Sequence, residues 1–141
     1  MPATHDQELI GLLRARGMRV TTQRLVIHRV LHEMGTHTTA EAMQAAIADR
    51  LPGVSLPTVY ATLDLLEDLG AVRRVAVPGG PALYDPRIDP HHHLVCRRCG
   101  GAQDIDAPVE LEPVLAAAAE QGFSARHAEV VVAGVCAACA A

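Results

Sequence analysis

The sequence predicts an α+β protein in two parts: a helical N-terminal part that ends in a β-hairpin, and a small β-β-α-β part. Three observations predict this division. Apolar residues recur at helical spacing through the first half, turn residues separate two short β-prone runs near the middle, and two Cys-x-x-Cys pairs flank the last third. A chain of 141 residues can form one medium domain or two small ones.

Four helices are expected in the N-terminal part, each bounded by start or stop signals. They should cover residues 7–16, 21–34, 40–50 and 56–69. Thr21 or Thr22 can cap the second helix, Thr38 or Thr39 the third, and Ser55 the fourth, because a hydroxyl accepts from a free helical N–H. The fourth helix also carries a proline in its first turn, where the missing N–H costs least.

A β-hairpin is predicted after the fourth helix. Val72–Val77 and Ala82–Tyr84 would be its strands, joined by a Pro-Gly-Gly-Pro turn. Three helices, a further helix after a turn and then a hairpin follow the order of a winged helix-turn-helix. In such a module the last helix enters the major groove of DNA and the hairpin touches the backbone.

The fourth helix has the polarity of a recognition helix. Its N-terminal half, Ser55 to Thr62, contains no acid, and the helix dipole at that end favours phosphate. Ser55, Thr58 and Tyr60 are therefore candidate DNA contacts. The alternative from periodicity alone is an ordinary surface helix with Tyr60 packed in the core.

Charge and hydropathy exclude some classes of protein. The net charge of −4 argues against a non-specific nucleic-acid coat, although every basic residue is arginine and a local basic patch occurs early in the chain. That patch, free of acids, comprises Arg14, Arg16, Arg19 and Arg24. No apolar stretch approaches the roughly 20 residues that cross a bilayer, and the N-terminus does not resemble a secretory signal. We expect a cytoplasmic protein without a membrane partner.

The cysteine spacing predicts a structural zinc site. Cys96 and Cys99 form one Cys-x-x-Cys pair, and Cys136 and Cys139 form the other. Each pair turns tightly enough to direct two thiolates at one ion, and four thiolates leave no position for a substrate. Redox pairs or a disulfide framework are the alternative, which a reducing cytosol disfavours.

The C-terminal part is predicted as a small dimerisation and metal-binding domain. The expected domains are residues 1–84, a hinge at 85–90 and residues 91–141. Within the last, strands are expected at 91–95, 103–106 and 123–132, with a helix at 108–120. A unit this small needs the zinc and a partner subunit for stability.

A second metal site is predicted around the histidine run. His91 and His93 would point to one face of a strand, and Asp104 on the neighbouring strand could add an oxygen. With Asp85 at the domain boundary and His37 in the break before the third helix, the set offers nitrogen and oxygen ligands and no thiolate. Such a site suits Fe(II) or Mn(II), although Ni(II) and Zn(II) are not excluded.

The remaining histidines carry weaker signals. His92 faces away from its neighbours and, with the ambiguous His127, could form an additional metal site. His5, His28 and His32 have no partner in sequence and are expected to be ordinary surface or core residues.

Taken together, the motifs show that the chain resembles the Fur family of metal-responsive repressors. The resemblance runs from about residue 9 to residue 139 without interruption. The motifs that carry it are Arg19-Val-Thr-Thr-Gln-Arg24, His37-Thr-Thr-Ala-Glu41, Val54-Ser-Leu-Pro-Thr-Val-Tyr60, His91-His-His-Leu-Val-Cys96-Arg-Arg-Cys99-Gly100 and Gly134-Val-Cys136-Ala-Ala-Cys139. Two departures are the extra imidazole of His92 and the Pro57 that precedes Thr-Val-Tyr60.

The resemblance implies a homodimeric repressor that binds a palindromic operator in double-stranded DNA, with Arg19 and Arg24 among its DNA contacts. It implies a structural zinc on the cysteines and a regulatory ion between the two domains. Aspartate at positions 85 and 104 resembles the PerR-like peroxide sensors, in which bound Fe(II) reacts with peroxide, a histidine ligand (here His37 or His91) is oxidised and DNA is released. Metal would act as a clamp that sets the angle between the winged helices.

Three alternatives remain at this stage. A Fur-type uptake regulator would respond to the level of iron, manganese, nickel or zinc instead of peroxide. A zinc hydrolase or deaminase would use His91 and His93, but no glutamate lies beside them as a general base, so an enzyme is not expected. A zinc-stabilised interaction module without DNA binding would leave Arg19 and Arg24 unexplained.

Overall fold

The structure, a computed structural model, describes residues 2–141. The chain divides into two compact units, the first ending at Ile88 and the second spanning Asp89–Ala141. The division falls inside the 85–90 segment assigned to the hinge, and Asp85 belongs to a strand of the first unit. No helix among the described residues is long and apolar enough to cross a membrane.

The first unit consists of four helices and a two-stranded antiparallel sheet. Its elements are α1 (Pro2–Ala15), α2 (Thr22–Met34), α3 (Ala40–Ile47), α4 (Leu56–Asp68), β1 (Arg73–Val75) and β2 (Leu83–Asp85). The hydroxyls of Thr21, Thr39 and Ser55 cap α2, α3 and α4, as the sequence predicts. Helix α1 begins before the predicted residue 7. Helix α3 ends before the predicted residue 50, because no strong stop signal near position 48 marks its end in the sequence.

A core of buried apolar side chains holds the helices of the first unit together. One side of each helix contributes residues with no solvent exposure, and the aromatic ring from β2 completes the cluster. Its fully buried members are Leu9, Leu13, Ile27, Leu31, Ala40, Met43, Ile47, Val59, Leu63, Leu66 and Tyr84. The Tyr84 hydroxyl donates to Asp64 Oδ1 at 2.9 Å, so the ring is buried without leaving a polar atom unsatisfied.

The second unit is a three-stranded mixed sheet with two short helices. Its elements are β3 (His92–Cys96), β4 (Ala102–Ile105), α5 (Glu112–Glu120), β5 (Val131–Gly134) and α6 (Ala137–Ala140). The strand order is β4-β3-β5, with β3 antiparallel to β4 and parallel to β5. This is the predicted β-β-α-β order with a further short helix at the C-terminus.

Four elements of the second unit have bounds that differ from the prediction, and the smallest difference is at β4, which lies at 102–105 instead of 103–106. Strand β3 begins at His92 instead of His91, β5 lies at 131–134 instead of 123–132, and α5 begins at Glu112 instead of 108. Residues 123–130 are rich in polar and small side chains, and only the run after Val130 pairs with β3. Helix α6, which includes the last cysteine, was not predicted because four residues are too few for periodicity.

Candidate metal centres

The four cysteines converge although they come from two distant segments. Cys96 ends β3 and Cys99 lies in the turn after it, while Cys136 and Cys139 flank the start of α6. One sulfur from each lies within 4.8 Å of the others, and the Sγ atoms of Cys99 and Cys136 are 3.9 Å apart. Two thiolates on a tetrahedral zinc lie about 3.8 Å apart, given Zn–S bonds of about 2.3 Å. The cysteine cluster therefore fits a structural zinc ion.

Backbone amides and neighbouring sulfurs set the electrostatics of the cysteine cluster. The amide of Cys136 donates to Cys96 Sγ and that of Gly101 to Cys99 Sγ, each at 3.4 Å. Such backbone donors, from Cys99 and Cys136 foremost, lower the pKa of Cys96 to about 6, whereas bonds to the neighbouring sulfurs raise the pKa of Cys139 to about 12. A divalent cation would stabilise all four cysteines as thiolates, so that these opposite pKa shifts would no longer keep one of them protonated.

Two proposed regulatory ligands lie side by side in the first unit. His37 Nε2 is 3.1 Å from Asp85 Oδ2, and both side chains are less than a tenth exposed. A β-bridge between Thr38 and Tyr84, with hydrogen bonds of 2.8 and 3.0 Å, fixes the backbone beside them. The Arg87 amide donates to the other oxygen of Asp85 at 2.9 Å. The bridge explains why residues nearly fifty positions apart meet.

Three further proposed ligands meet in the second unit. Asp104 on β4 is paired in register with His93 on β3. Its Oδ1 lies 3.4 Å from His91 Nε2 and 3.6 Å from His93 Nε2, and both imidazoles are buried. The Nδ1 of His91 lies 2.7 Å from the Asp89 carbonyl, which leaves its Nε2 as the ligating nitrogen. The sheet thus directs two imidazole Nε2 atoms and a carboxylate oxygen toward one point.

Glu129, which the sequence did not point to, lies behind the second of these imidazoles. Its Oε2 is 3.6 Å from His93 Nδ1, the nitrogen opposite the one that faces Asp104. A carboxylate in that position fixes the tautomer and orientation of a metal-ligating imidazole. Residues 127–130 give no sequence signal for this role, because the contact depends on β5 pairing with β3.

His92 and His127 are not brought together as metal ligands among the described residues. His92 is buried, and its Nδ1 accepts a hydrogen bond from the Val130 amide at 2.9 Å. His127 is exposed on the segment before β5. The His92 ring therefore holds β5 against β3 through its Nδ1, and the additional metal site remains a prediction.

The candidate DNA contacts lie around the N-terminus of α4 and the start of α2. Arg19 is exposed, and Arg24 donates from its guanidinium to the Arg19 carbonyl. Ser55 caps α4 through the Thr58 amide, and the two hydroxyls are 2.8 Å apart. These residues occupy the ends of two helices, where a DNA-binding helix-turn-helix places its phosphate and base contacts.

Tyr60 has contacts that fit both of its predicted roles. Its ring is partly buried against the core, and its hydroxyl donates to Glu41 Oε1 at 3.1 Å, which raises the pKa of the phenol. Hydrogen bonding of this kind orients the side chain on the surface formed by α3 and α4.

Three histidines that looked isolated in the sequence form a cluster in the first unit. His5 on α1 stacks on His32 of α2 with ring centroids 3.8 Å apart, and His28 lies one helical turn from His32. The sequence did contain one signal, the four-residue spacing of His28 and His32, but the contribution of α1 required the packing of the two helices.

Comparison with known proteins identifies the group to which these features correspond. The sequence profile of the ferric uptake regulator family matches residues 15–133 of the chain. The chain is 39% identical over 125 residues to "Ferric uptake regulation protein 1" of Mycolicibacterium fortuitum, covering 88% of this chain and 77% of that protein. It is 31% identical over 133 residues to "Peroxide-responsive repressor PerR" of Staphylococcus aureus, covering 94% and 90%.

A solved structure extends the similarity to the fold. A zinc uptake regulator complexed with zinc and DNA superposes with a TM-score of 0.72 at 25% identity, covering 99% of this chain and 95% of that one. The similarity in fold therefore extends over both units of the chain.

Proposed function

The chain belongs to the ferric uptake regulator family of metal-responsive transcriptional regulators, and we propose that it is a PerR-like peroxide sensor that represses transcription by binding operator DNA. The observation that carries this proposal is the ligand set. Two imidazoles with Asp104 in the second unit, and one imidazole with Asp85 in the first, supply nitrogen and carboxylate oxygen and no sulfur. That chemistry suits Fe(II) and Mn(II).

All five side chains would ligate one regulatory ion, with a structural zinc held separately by the cysteines. Because the first unit carries two of the ligands and the second carries three, a shared ion would couple the winged helix to the dimerisation unit. A ligand that favours one arrangement of the units shifts the population toward it. Loss of that coupling lowers the affinity for operator DNA.

A homodimer on palindromic DNA follows from the same proposal. Helix α5 has no buried residue, and Val114 and Leu115 are exposed on it, so a second copy would cover this apolar helix. Two first units would then present two α4 helices to successive major grooves.

Peroxide sensing would occur at His37 or His91. These imidazoles would help to hold Fe(II), which would supply the redox chemistry by which hydrogen peroxide oxidises a ring. In the net reaction the ring takes one oxygen atom and is oxidised by two electrons, and the peroxide leaves as water. An oxidised ring is a poorer ligand, so the ion is released and repression ends.

Mass spectrometry of the intact chain and its peptides tests this proposal. Protein loaded anaerobically with Fe(II) and treated with roughly stoichiometric peroxide should gain about one oxygen on a peptide that contains His37 or His91. The Mn(II)-loaded protein is the control and should gain none. An iron-loaded protein that stays unoxidised and operator-bound under peroxide refutes peroxide sensing.

A Fur-type sensor of metal level is the second candidate. It is favoured by one observation, since the ferric uptake regulation protein is more similar to this chain than the peroxide-responsive repressor. Asp104→Glu separates the two, because the longer carboxylate changes the distance to the ion. A peroxide sensor should keep metal-dependent DNA binding and lose peroxide response, whereas a metal-level sensor has no peroxide response to lose.

DNA binding is tested by salt dependence and by paired substitutions. Arg19→Ala should weaken binding to all sequences and lower the salt slope, because a phosphate contact is lost. Tyr60→Ala should weaken binding to the operator more than to random DNA. Arg50→Ala is the control, since its guanidinium is engaged by Glu33 at 2.8 Å. Equal losses on operator and random DNA would remove Tyr60 from the base-reading residues.

A further inference from the structure

The histidine cluster of the first unit has the ligand chemistry of a metal site. His28 Nε2 and His32 Nε2 are 3.2 Å apart on the same face of α2, where one ring donates a hydrogen bond to the other, and a divalent cation would replace the proton that they share. Two imidazoles on a tetrahedral zinc ion lie about 3.3 Å apart, given Zn–N bonds of about 2.0–2.1 Å. Histidines four residues apart on a helix are a known arrangement for a two-point metal contact.

Helix α1 contributes further ligands beside this pair. The ring of His5 is stacked on that of His32, with an interplanar angle of 10°. Glu8 Oε2 lies 3.8 Å from His5 Nδ1 on the solvent side, and the Glu8 side chain is 63% exposed. For its nitrogen to become a third ligand, the His5 ring would have to turn out of its stack on His32, and the exposed Glu8 carboxylate could then supply a fourth.

The surroundings keep the imidazoles of His28 and His32 in the neutral form that binds metals. His28 is only 2% exposed, and its Nδ1 has no hydrogen-bond partner among the described residues. Burial lowers the pKa of His28 to about 4, with His32 and His5 acting in the same direction and Asp6 opposing them. Burial is also the main cause that lowers the pKa of His32. Protons therefore do not compete with a metal at neutral pH.

We propose that His28 and His32, completed by His5, form a binding site for a borderline divalent cation such as Zn²⁺ between α1 and α2. The site is separate from the cysteine cluster and from the regulatory ligands, and it does not depend on the proposed function. Imidazole nitrogens exclude Mg²⁺ and Ca²⁺, which take oxygen ligands. A bound ion ties α1 to α2 and stabilises the winged helix, because it binds only the folded arrangement.

Zinc binding by the full chain tests the proposal in a background without regulatory ligands. The background carries His37→Ala and Asp104→Ala and keeps its structural zinc. Titration against a chromophoric chelator should show about one further Zn²⁺ per chain, and the thermal midpoint should rise with added Zn²⁺. Adding His32→Ala should abolish both effects, whereas the control Gln7→Ala, at an exposed position of α1, should leave them unchanged.

Two further variants protect the test against misfolding. His5→Ala removes only the stacked ring, and His32→Gln keeps a polar side chain of similar size. Each should lower the affinity for the additional Zn²⁺ by at least about tenfold, while the helical circular dichroism signal without added metal stays equal to that of the background. If the background binds no further Zn²⁺, or if both variants bind it as Gln7→Ala does, the cluster is a packing feature only and the proposal is wrong.

Discussion

The two units of the molecule are stabilised in different ways. The first unit has a continuous apolar core, and every helix in it contributes side chains that are buried from solvent. In the second unit only β3 is well buried, α5 has no buried residue, and Phe123 and Val114 are 67% and 60% exposed. We therefore expect apolar burial to stabilise the first unit by itself, and the second, about fifty residues long, to depend on a metal and on a surface that covers it.

This contrast explains where the chemistry resides. In the second unit the four cysteines lie at the end of β3 and after β5, so a zinc ion bound by them would join the two strands beside His91 and His93. In the first unit the core already fixes the β-bridge beside His37 and Asp85. We therefore expect that loss of the metal disorders the second unit and leaves the first unit folded.

Cys96→Ser tests this expectation, and of the substitutions considered it should have the largest effect on stability. Structural zinc sites contribute on the order of 10 kcal/mol, because the ion binds only the folded site. The variant should lose its zinc, and the β3–β5 amides should lose protection from hydrogen exchange while those of α2 and α4 keep theirs. Loss of protection in both units at once would show that they fold as one cooperative body.

Leu63→Ala should produce the opposite pattern. Leu63 is fully buried in α4, and removal of a buried leucine side chain leaves a cavity that costs about 2–5 kcal/mol. Denaturant unfolding should show a destabilised first unit, while the zinc content stays at about one ion per chain. Leu12→Ala is the matched control, because Leu12 is 37% exposed and its removal should cost much less.

Val114→Asp tests whether a second copy covers α5. A carboxylate at this exposed apolar position would be buried without a partner in a dimer, so the dimer should dissociate at least about tenfold more readily, or about 1.4 kcal/mol. Analytical ultracentrifugation measures the change. Leu12→Asp introduces the same charge on the first unit, and an equal effect of both variants would place the interface elsewhere.

Tyr84→Phe should have the smallest effect and should be confined to the first unit. The change removes the hydrogen bond to Asp64 from a ring that has no solvent exposure, at a cost of about 1 kcal/mol. Tyr60→Phe is the control, because its hydroxyl bonds an exposed glutamate at the surface. Thermal unfolding with zinc present compares them, and a larger loss in the control would contradict this account of the core.

The sequence was most informative where a local signal acts alone. Hydroxyl caps placed the start of α4 at Ser55 to the residue and those of α2 and α3 to within one residue, because a cap needs only neighbouring backbone amides. The Cys-x-x-Cys spacing predicted the cysteine cluster for a similar reason: each pair is a local turn, and Gly100, at φ 71°, supplies the left-handed residue directly after the first of them.

The sequence was least informative where position depends on partners distant in the chain. Strand β5 was placed eight residues too early, because its register is set by pairing with β3 and by the His92–Val130 hydrogen bond. Glu129 was overlooked for the same reason. The convergence of His5 with His28 and His32 could not be predicted, since it follows from the packing of α1 on α2.

By itself, then, the sequence determined the α+β class, the order of the elements, the four-cysteine site and the family resemblance, because periodicity, caps and ligand spacing are local properties of a chain. Only the tertiary structure decided which side chains meet: the carboxylate of Asp104 with two imidazoles, Glu129 behind His93, and the three-histidine cluster. Such meetings depend on strand register and helix packing, which are settled by the free energy of the whole core and not by neighbours in sequence.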